Sequence, residues 1–249
     1  MCKIKFDKEN VYIVTGASSG LGEATAVLLN DLGATVVAIA RNFERLEGMK
    51  AKCKYPENMF LEQKDFTEDI DSLPKYVSEL KEKYGKFSGM AYCAGIAETI
   101  PIQMQDYDNL LHIFDTNYFA PVLMTKGMVN KRNNIGYGTS LVVISSIAAI
   151  TTDKGHSAYS GSKAALSATM KSIAKEVASN GIRINLVLPS CIATPMTQCD
   201  ELYLESQKSF YPFGIGEPND VANMIVYLLS DKAKFISGQN YIIDSGGVV

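Results

Sequence analysis

Tyr159 and Lys163 stand four residues apart in Tyr159-Ser160-Gly161-Ser162-Lys163, at the head of a long helical pattern. Residues at that spacing share one face of a helix. An ammonium beside a phenol favours phenolate and lowers the phenol pKa from about 10 toward the working range. A phenol tuned this way serves as a general acid or base. Many such pairs are surface coincidences, so the neighbouring chemistry has to decide. Ser145 and Ser146 close the apolar run Leu141–Ile144 and offer hydroxyls at the end of a strand. Earlier in the chain, Thr15-Gly16-Ala17-Ser18-Ser19-Gly20-Leu21-Gly22 joins an apolar run to a helical pattern. Its three glycines allow a tight turn and let a ligand approach the backbone. The helix behind it presents free N–H groups and a positive dipole end to a phosphate.

Two other readings of that turn fail on neighbouring residues. A P-loop needs Lys and then Ser or Thr after its last glycine, and Glu23 follows Gly22. Gly16-Ala17-Ser18-Ser19-Gly20 fits the G-x-S-x-G of a hydrolase nucleophile elbow, which needs a histidine late in the chain. The only histidines are His112 and His156, and none follows. Both read as solvent-facing or locally bonded, with His156 a candidate for the border of a pocket near Tyr159.

The elements that must position these groups alternate in type. Strands are expected at Val11–Thr15, Thr35–Ile39, Met59–Gln63, Phe87–Cys93, Leu141–Ser145, Ile182–Leu188 and Tyr241–Ile243. Helical patterns lie between them at Gly20–Leu32, Asn42 to about Lys52, Ser72–Tyr84, Tyr159–Ser179 and Pro218–Leu229. Asp106 to Val129 holds one or two more. Strands separated by helix-length segments imply crossovers and a parallel sheet. The strands are almost wholly apolar, as expected when helices cover both sheet faces. No Pro/Gly/Ser-rich linker divides the chain, so residues 1–249 read as one doubly wound α/β domain. Ligands of such sheets bind beyond the carboxyl ends of the strands, where the glycine turn and the Ser–Tyr–Lys group both fall.

Composition narrows the partners. The 249 residues carry 24 Lys and Arg against 27 Asp and Glu, a net charge of −3 with no long basic stripe. Nucleic acid is therefore not an expected partner. The five cysteines, Cys2, Cys53, Cys93, Cys191 and Cys199, are scattered and show no C-x-x-C pair. They read as reduced thiols of a cytoplasmic protein, and no metal site is expected. The residues from Met1 to Asn10 lack the apolar run of a secretory signal. No apolar run reaches the roughly 20 residues a membrane helix needs.

Together these motifs resemble the short-chain dehydrogenase/reductase family in its single-domain form, over nearly the whole chain. Thr15–Gly22 matches that family's T-G-x-x-x-G-x-G turn, and Cys93-Ala94-Gly95 stands where Asn-Ala-Gly is usual. Ser146 rather than Ser145 fits the family serine, because it lies thirteen residues before Tyr159. The resemblance implies a Rossmann-type fold and a catalytic tetrad of Asn117, Ser146, Tyr159 and Lys163. It implies cofactor contacts from Gly16, Ser18, Ser19, Gly20, Leu21, Gly22, Asp65, Phe66, Ala94, Gly95, Pro189, Ile192 and Thr194, with Tyr159 and Lys163 shared between both sets. Pro189-Ser190 replaces the usual Pro-Gly, so a restricted φ at Ser190 is a concern.

The expected activity is hydride transfer between a nicotinamide cofactor and a carbonyl or secondary alcohol, with Tyr159 moving the proton. At the end of the second strand, an acidic side chain would bind a free adenosine ribose and repel a 2′-phosphate. That position holds neutral Ala40, and Arg41 follows, so NADP(H) is expected over NAD(H). Residues 195–217 are the implied substrate lid, with Met196, Tyr203, Phe210, Tyr211 and Phe213 but no Arg and only Lys208. A small, largely neutral substrate is therefore expected. The alternatives are a 3-oxoacyl carrier-protein reductase, against which Asn180 stands in place of the usual Arg, and a non-catalytic dinucleotide-sensing regulator on the same fold. The resemblance also implies a homotetramer or homodimer.

Overall fold

The computed structural model describes residues 4–197, 205 and 208–247. Cys2, Cys199 and Tyr203 lie outside the described residues, as does part of the 195–217 segment. Seven strands form one sheet: β1 (Val11–Thr15), β2 (Thr35–Ala40), β3 (Met59–Gln63), β4 (Phe87–Tyr92), β5 (Ser140–Ile144), β6 (Arg183–Pro189) and β7 (Asn240–Ile243). Every pairing is parallel, in the order β3-β2-β1-β4-β5-β6-β7. The crossover helices are α1 (Gly20–Asp31), α2 (Phe43–Lys50), α3 (Leu73–Tyr84), α4 (Tyr107–Phe114), α5 (Ala120–Met128), α6 (Ser157–Val177) and α7 (Pro218–Leu229).

Strand residues alternate between two cores. Tyr12 and Val14 of β1 join Val36 and Ala38 of β2 under α1, α2 and α7, where Ala26, Leu29, Leu46, Ile225 and Leu228 close the layer. Val11, Ile13, Val37 and Ile39 face the other way, onto Leu73 and Val77 of α3, Met124 of α5 and Leu166 and Met170 of α6. Successive strand side chains point to opposite faces, so a strand buried on both sides must be apolar throughout. The sheet order reverses between β1 and β4, which opens a crevice at their carboxyl ends.

Three local differences from the expected elements bear on the site. Helix α6 begins at Ser157, so Tyr159 lies inside its first turn. Strand β4 ends at Tyr92 and leaves Cys93 in the loop. The stretch from Asp106 to Val129 holds two α-helices joined without a loop, through a π-helical segment at Asp115–Phe119. Apolar periodicity cannot reveal such an insertion, because one wider turn only rotates the stripe. Single π turns of this kind favour functional positions, and this one contains Asn117.

Candidate functional site

The glycine turn crosses the crevice between β1 and β4. Gly16 has φ +65, and a Cβ there would sit 2.9 Å from the Ala94 backbone nitrogen. Glycine thus lets the turn lie directly on the chain leaving β4. The backbone N–H groups of Cys93 and Ala94 both donate to Thr15 Oγ1, at 3.0 and 3.1 Å. Thr15 therefore ties the two strand ends together here, although Cys93 replaces the amide expected to do so. Helix α1 receives no cap from the Ser19 side chain. Its leading N–H groups suit a phosphate, and the turn has no room for a side chain at Gly16 or Gly22, so the residues fit a dinucleotide. From across the crevice, Thr194 closes over the turn: a Cβ on Gly20 would lie 3.2 Å from Thr194 Cγ2.

The catalytic candidates converge at the ends of β4 and β5. Asn117 is fully buried by the π segment. Its Nδ2 donates to the Ile96 carbonyl at 2.9 Å and to Ser162 Oγ at 3.3 Å, while Ile96 N–H donates to its Oδ1 at 3.0 Å. Gly95 marks where the tetrad closes: a Cβ there would lie 3.1 Å from Asn117 Oδ1 and 3.4 Å from Lys163 Nζ. The two serines divide their roles. Ser145 Oγ donates to the Lys163 carbonyl at 3.1 Å and meets Ser167 Oγ at 2.8 Å, which anchors α6 to β5. Ser146 Oγ accepts from Ala148 N–H at 3.1 Å and faces the Tyr159 phenol, whose pKa it acts to lower.

The electrostatics differ from the sequence expectation. Burial pushes the Tyr159 phenol above its ordinary value, and the Ser146 hydrogen bond offsets only part of that rise. Lys163 Nζ lies 6.0 Å from the Tyr159 ring centroid and donates to the Ile144 carbonyl at 3.0 Å. Its charge is aimed at the end of β5, and burial pulls the ammonium itself down to about 8, against a smaller opposing effect of Cys93. For both groups burial is the largest effect. Burial pushes the neighbouring Cys93 thiol up to about 12, with Thr25 and Lys163 acting the other way, so the thiol stays neutral.

At the far end of the crevice, Arg41 and Asp65 follow β2 and β3. Arg41 Nη1 lies 3.7 Å from Asp65 Oδ2. Asp65 Oδ1 accepts from Thr67 N–H at 2.9 Å and from Thr67 Oγ1 at 2.7 Å. Partial burial works to raise the Asp65 carboxyl, but the Thr67 bonds and the Arg41 guanidinium outweigh it and hold the carboxyl below its usual range. Phe66 turns its ring into the core, 5.7 Å from that of Tyr92. Pro189 ends β6, and Ile192 forms an isolated parallel bridge with Gly216. Ser190 is free of strain: the non-glycine residues with left-handed φ among those described are Asp69 and Ser245.

His156 precedes α6, accepts or donates at Thr99 Oγ1 over 2.9 Å, and stands with its ring 6.0 Å from that of Tyr159. It borders the site, whereas His112 is exposed on α4. Sequence reasoning missed Thr15 and Ser162 as parts of the site. Thr15 was visible as the residue opening the glycine turn; nothing local marked Ser162. Among the described residues no His/Cys/Asp/Glu cluster suits a metal, and no helix is long and apolar enough to cross a membrane.

A parallel sheet with this strand order, a glycine turn at its switch point and a Ser–Tyr–Lys–Asn group one strand away together define a dinucleotide-dependent oxidoreductase. The chain belongs to the short-chain dehydrogenase/reductase family and is an NAD(P)-dependent enzyme. Residues 16–247 match the family model described as enoyl-(acyl carrier protein) reductase. The 3-oxoacyl-(acyl-carrier-protein) reductase FabG of Thermotoga maritima is 32% identical over 246 residues, covering 96% of this chain and 98% of that one. Carbonyl reductase family member 4 of Danio rerio is 32% identical, covering 94% of this chain and 96% of its own. A solved short-chain type dehydrogenase/reductase from Mycobacterium ulcerans superposes with a TM-score of 0.88 at 31% identity, over 98% of this chain and 91% of that one.

Proposed function

We propose that this chain interconverts a carbonyl and a secondary alcohol on a small, largely neutral substrate, with NADP(H) as its preferred cofactor. The observation that carries the reading is the convergence of Asn117 Oδ1 and Lys163 Nζ on Gly95, with Ser146 beside the buried Tyr159 phenol. A bound nicotinamide supplies the hydride. Tyr159 gives its phenolic proton to the substrate oxygen, or takes one from an alcohol. A raised phenol pKa keeps that proton in place at neutral pH and suits the reducing direction. Ser146 donates to the substrate oxygen and stabilises charge developing there. Lys163 holds the nicotinamide ribose, and Asn117 holds a water that returns a proton toward Tyr159. Gly16, Ser18, Ser19, Gly20, Leu21 and Gly22 receive the pyrophosphate, Ala94 and Gly95 the adjoining ribose, and Pro189, Ile192 and Thr194 the nicotinamide. Arg41 takes the 2′-phosphate, and Asp65 with the Phe66 backbone borders the adenine.

We read residues 1–249 as one nucleotide-binding domain whose 195–217 segment walls the substrate. Met196, Phe210 and Phe213 are exposed there, consistent with an apolar wall. The free thiols of Cys53, Cys93 and Cys191 fit a reducing, cytoplasmic setting. A homotetramer is the expected assembly, and a monomeric mass in light scattering at micromolar concentration would overturn it.

A second reading has a specific observation behind it, because several relatives carry the name 3-oxoacyl-(acyl-carrier-protein) reductase. NADPH oxidation separates the two. Simple ketones, sugars and steroids are offered beside a 3-oxoacyl thioester, free and on its carrier protein. Turnover of the carrier-bound thioester alone would replace the first reading with the second.

A further inference from the structure

The residues that carry Ile192 and Thr194 leave the end of β6, and none of residues 190–197 is helical. They are held by the contacts of two residues the reaction does not use. Ser190 N–H and Ser190 Oγ both donate to the Ile243 carbonyl at the end of β7, at 3.0 and 3.2 Å. Tyr211 is 8% exposed, and its phenol faces the Ser190 side chain and the Cys191 backbone, both of which act to lower a phenol pKa that burial raises.

The other side of the segment is pinned as well. Ala193 N–H donates to the Gly216 carbonyl at 2.8 Å, and Gly216 N–H to the Cys191 carbonyl at 3.2 Å. Phe213 N–H donates to Ser245 Oγ at 2.8 Å, and Ser245 sits at φ +61, a conformation that side chains rarely adopt. A Cβ on Gly247 would lie 2.3 Å from the Phe210 carbonyl oxygen and 2.6 Å from Tyr211 Cδ1, so the chain after β7 lies directly on the Tyr211 turn. Such over-determined contacts hold a strained backbone only where surrounding structure insists on it.

We propose that Ser190 and Tyr211 are positioning residues that fix the Cys191–Thr194 segment against the glycine turn, and so set cofactor affinity. Ser190 stands where the family resemblance leads one to expect glycine, and a glycine has no hydroxyl to join β6, β7 and Tyr211. The proposal goes beyond the reaction assigned above and rests on the assignment of Ile192 and Thr194 to the cofactor.

The test uses the whole enzyme and two readouts. Amide hydrogen exchange of Cys191 and Ala193 is measured without cofactor, and NADPH and NADH are each titrated into the same samples. The variants are Tyr211→Phe, Ser190→Ala, the double variant and Ser190→Thr. Tyr211→Phe keeps the ring on Gly247 and deletes the hydroxyl. Both single deletions should speed exchange at Ala193, whose N–H is bonded to Gly216, by tenfold or more, by loosening the segment. Each should weaken the tighter-binding cofactor by about threefold to tenfold, the range for one lost hydrogen bond. The double variant should lose less than the sum of the single losses, because the two side chains face each other and hold the same segment. Ser190→Thr keeps a hydroxyl and should restore wild-type values.

Unchanged exchange overturns the proposal. So does faster exchange with unchanged affinity, which is the mark of a merely structural contact, and so do fully additive losses. If Tyr211→Phe does not fold, the comparison of Ser190→Ala with Ser190→Thr decides alone. A wild-type preference for NADH would end the NADP(H) reading yet leave the exchange result standing.

Discussion

Lys163 and Arg41 are both cations at the carboxyl edge of the sheet, but they work under opposite conditions. Lys163 is 4% exposed, whereas the Arg41 side chain is 69% exposed. Burial moves the Lys163 ammonium to about 8 and pushes the Tyr159 phenol up, so desolvation governs both groups. Arg41 leans on Asp65 at 3.7 Å, in reach of water and salt. Buried charge is governed by desolvation, whereas exposed charge is governed by solvent and salt screening.

The catalytic end should therefore break hardest. Tyr159→Phe keeps the ring and removes the transferable proton. It should lower kcat by at least about 100-fold while cofactor affinity changes little. Near-normal turnover would mean that another group moves the proton.

Asn117→Ala sharpens the same comparison. It leaves the Ile96 N–H and carbonyl unpaired in a partly buried place. A loss of about 1–3 kcal/mol should appear in urea unfolding. A change within a few tenths would show that water replaces the carboxamide and that the π segment is not held by it.

Lys163 makes a pH prediction. Its folded pKa of about 8 lies below the ordinary value of 10.5. Between those values the unfolded chain binds the extra proton, so this group makes stability rise with pH across that window. Below about pH 8 both forms are charged and the full penalty of burial applies. Lys163→Met should flatten the rise between pH 8 and 10, which is at most about 1.4 kcal/mol per pH unit. Equal slopes in both proteins, read by unfolding at each pH, would mean that Lys163 titrates normally.

The exposed end should give the smallest effect and the only salt-sensitive one. Arg41→Ala should weaken NADPH about tenfold and leave NADH nearly unchanged, with the gap narrowing as ionic strength rises. Equal weakening of both cofactors, or tighter wild-type binding of NADH, would remove the basis for NADP(H) selection.

Much of this was legible before the fold. The doubly wound sheet followed from all-apolar strands spaced by helix-length segments, and each of the seven strands stands where the pattern put it, within a residue or two. The glycine turn and the Tyr159–Lys163 pair were visible because each is local, and local spacing survives folding. Asn117 was reached only through resemblance, since the π segment that buries it leaves no periodic mark.

Other features depend on residues brought together from afar. Thr15 grips Cys93 and Ala94 across 78 and 79 positions of chain. Thr194 closes over Gly20, and Ser190 meets Ile243 across 53 positions. The division of labour between Ser145 and Ser146 is likewise tertiary, because only the seating of α6 on β5 tells which hydroxyl is spent on Ser167 and which faces Tyr159. The sequence expectation about Tyr159 failed for the same reason. Adjacent charge is written in the spacing of Tyr159 and Lys163, but desolvation is set by everything packed around them. By itself the sequence determined the sheet, the turn and the types of reacting group, because these follow from periodicity and backbone freedom. The tertiary structure alone decided their pKa shifts, their partners and the pinning of the Cys191–Thr194 segment, because burial and long-range hydrogen bonds exist only once distant strands have met.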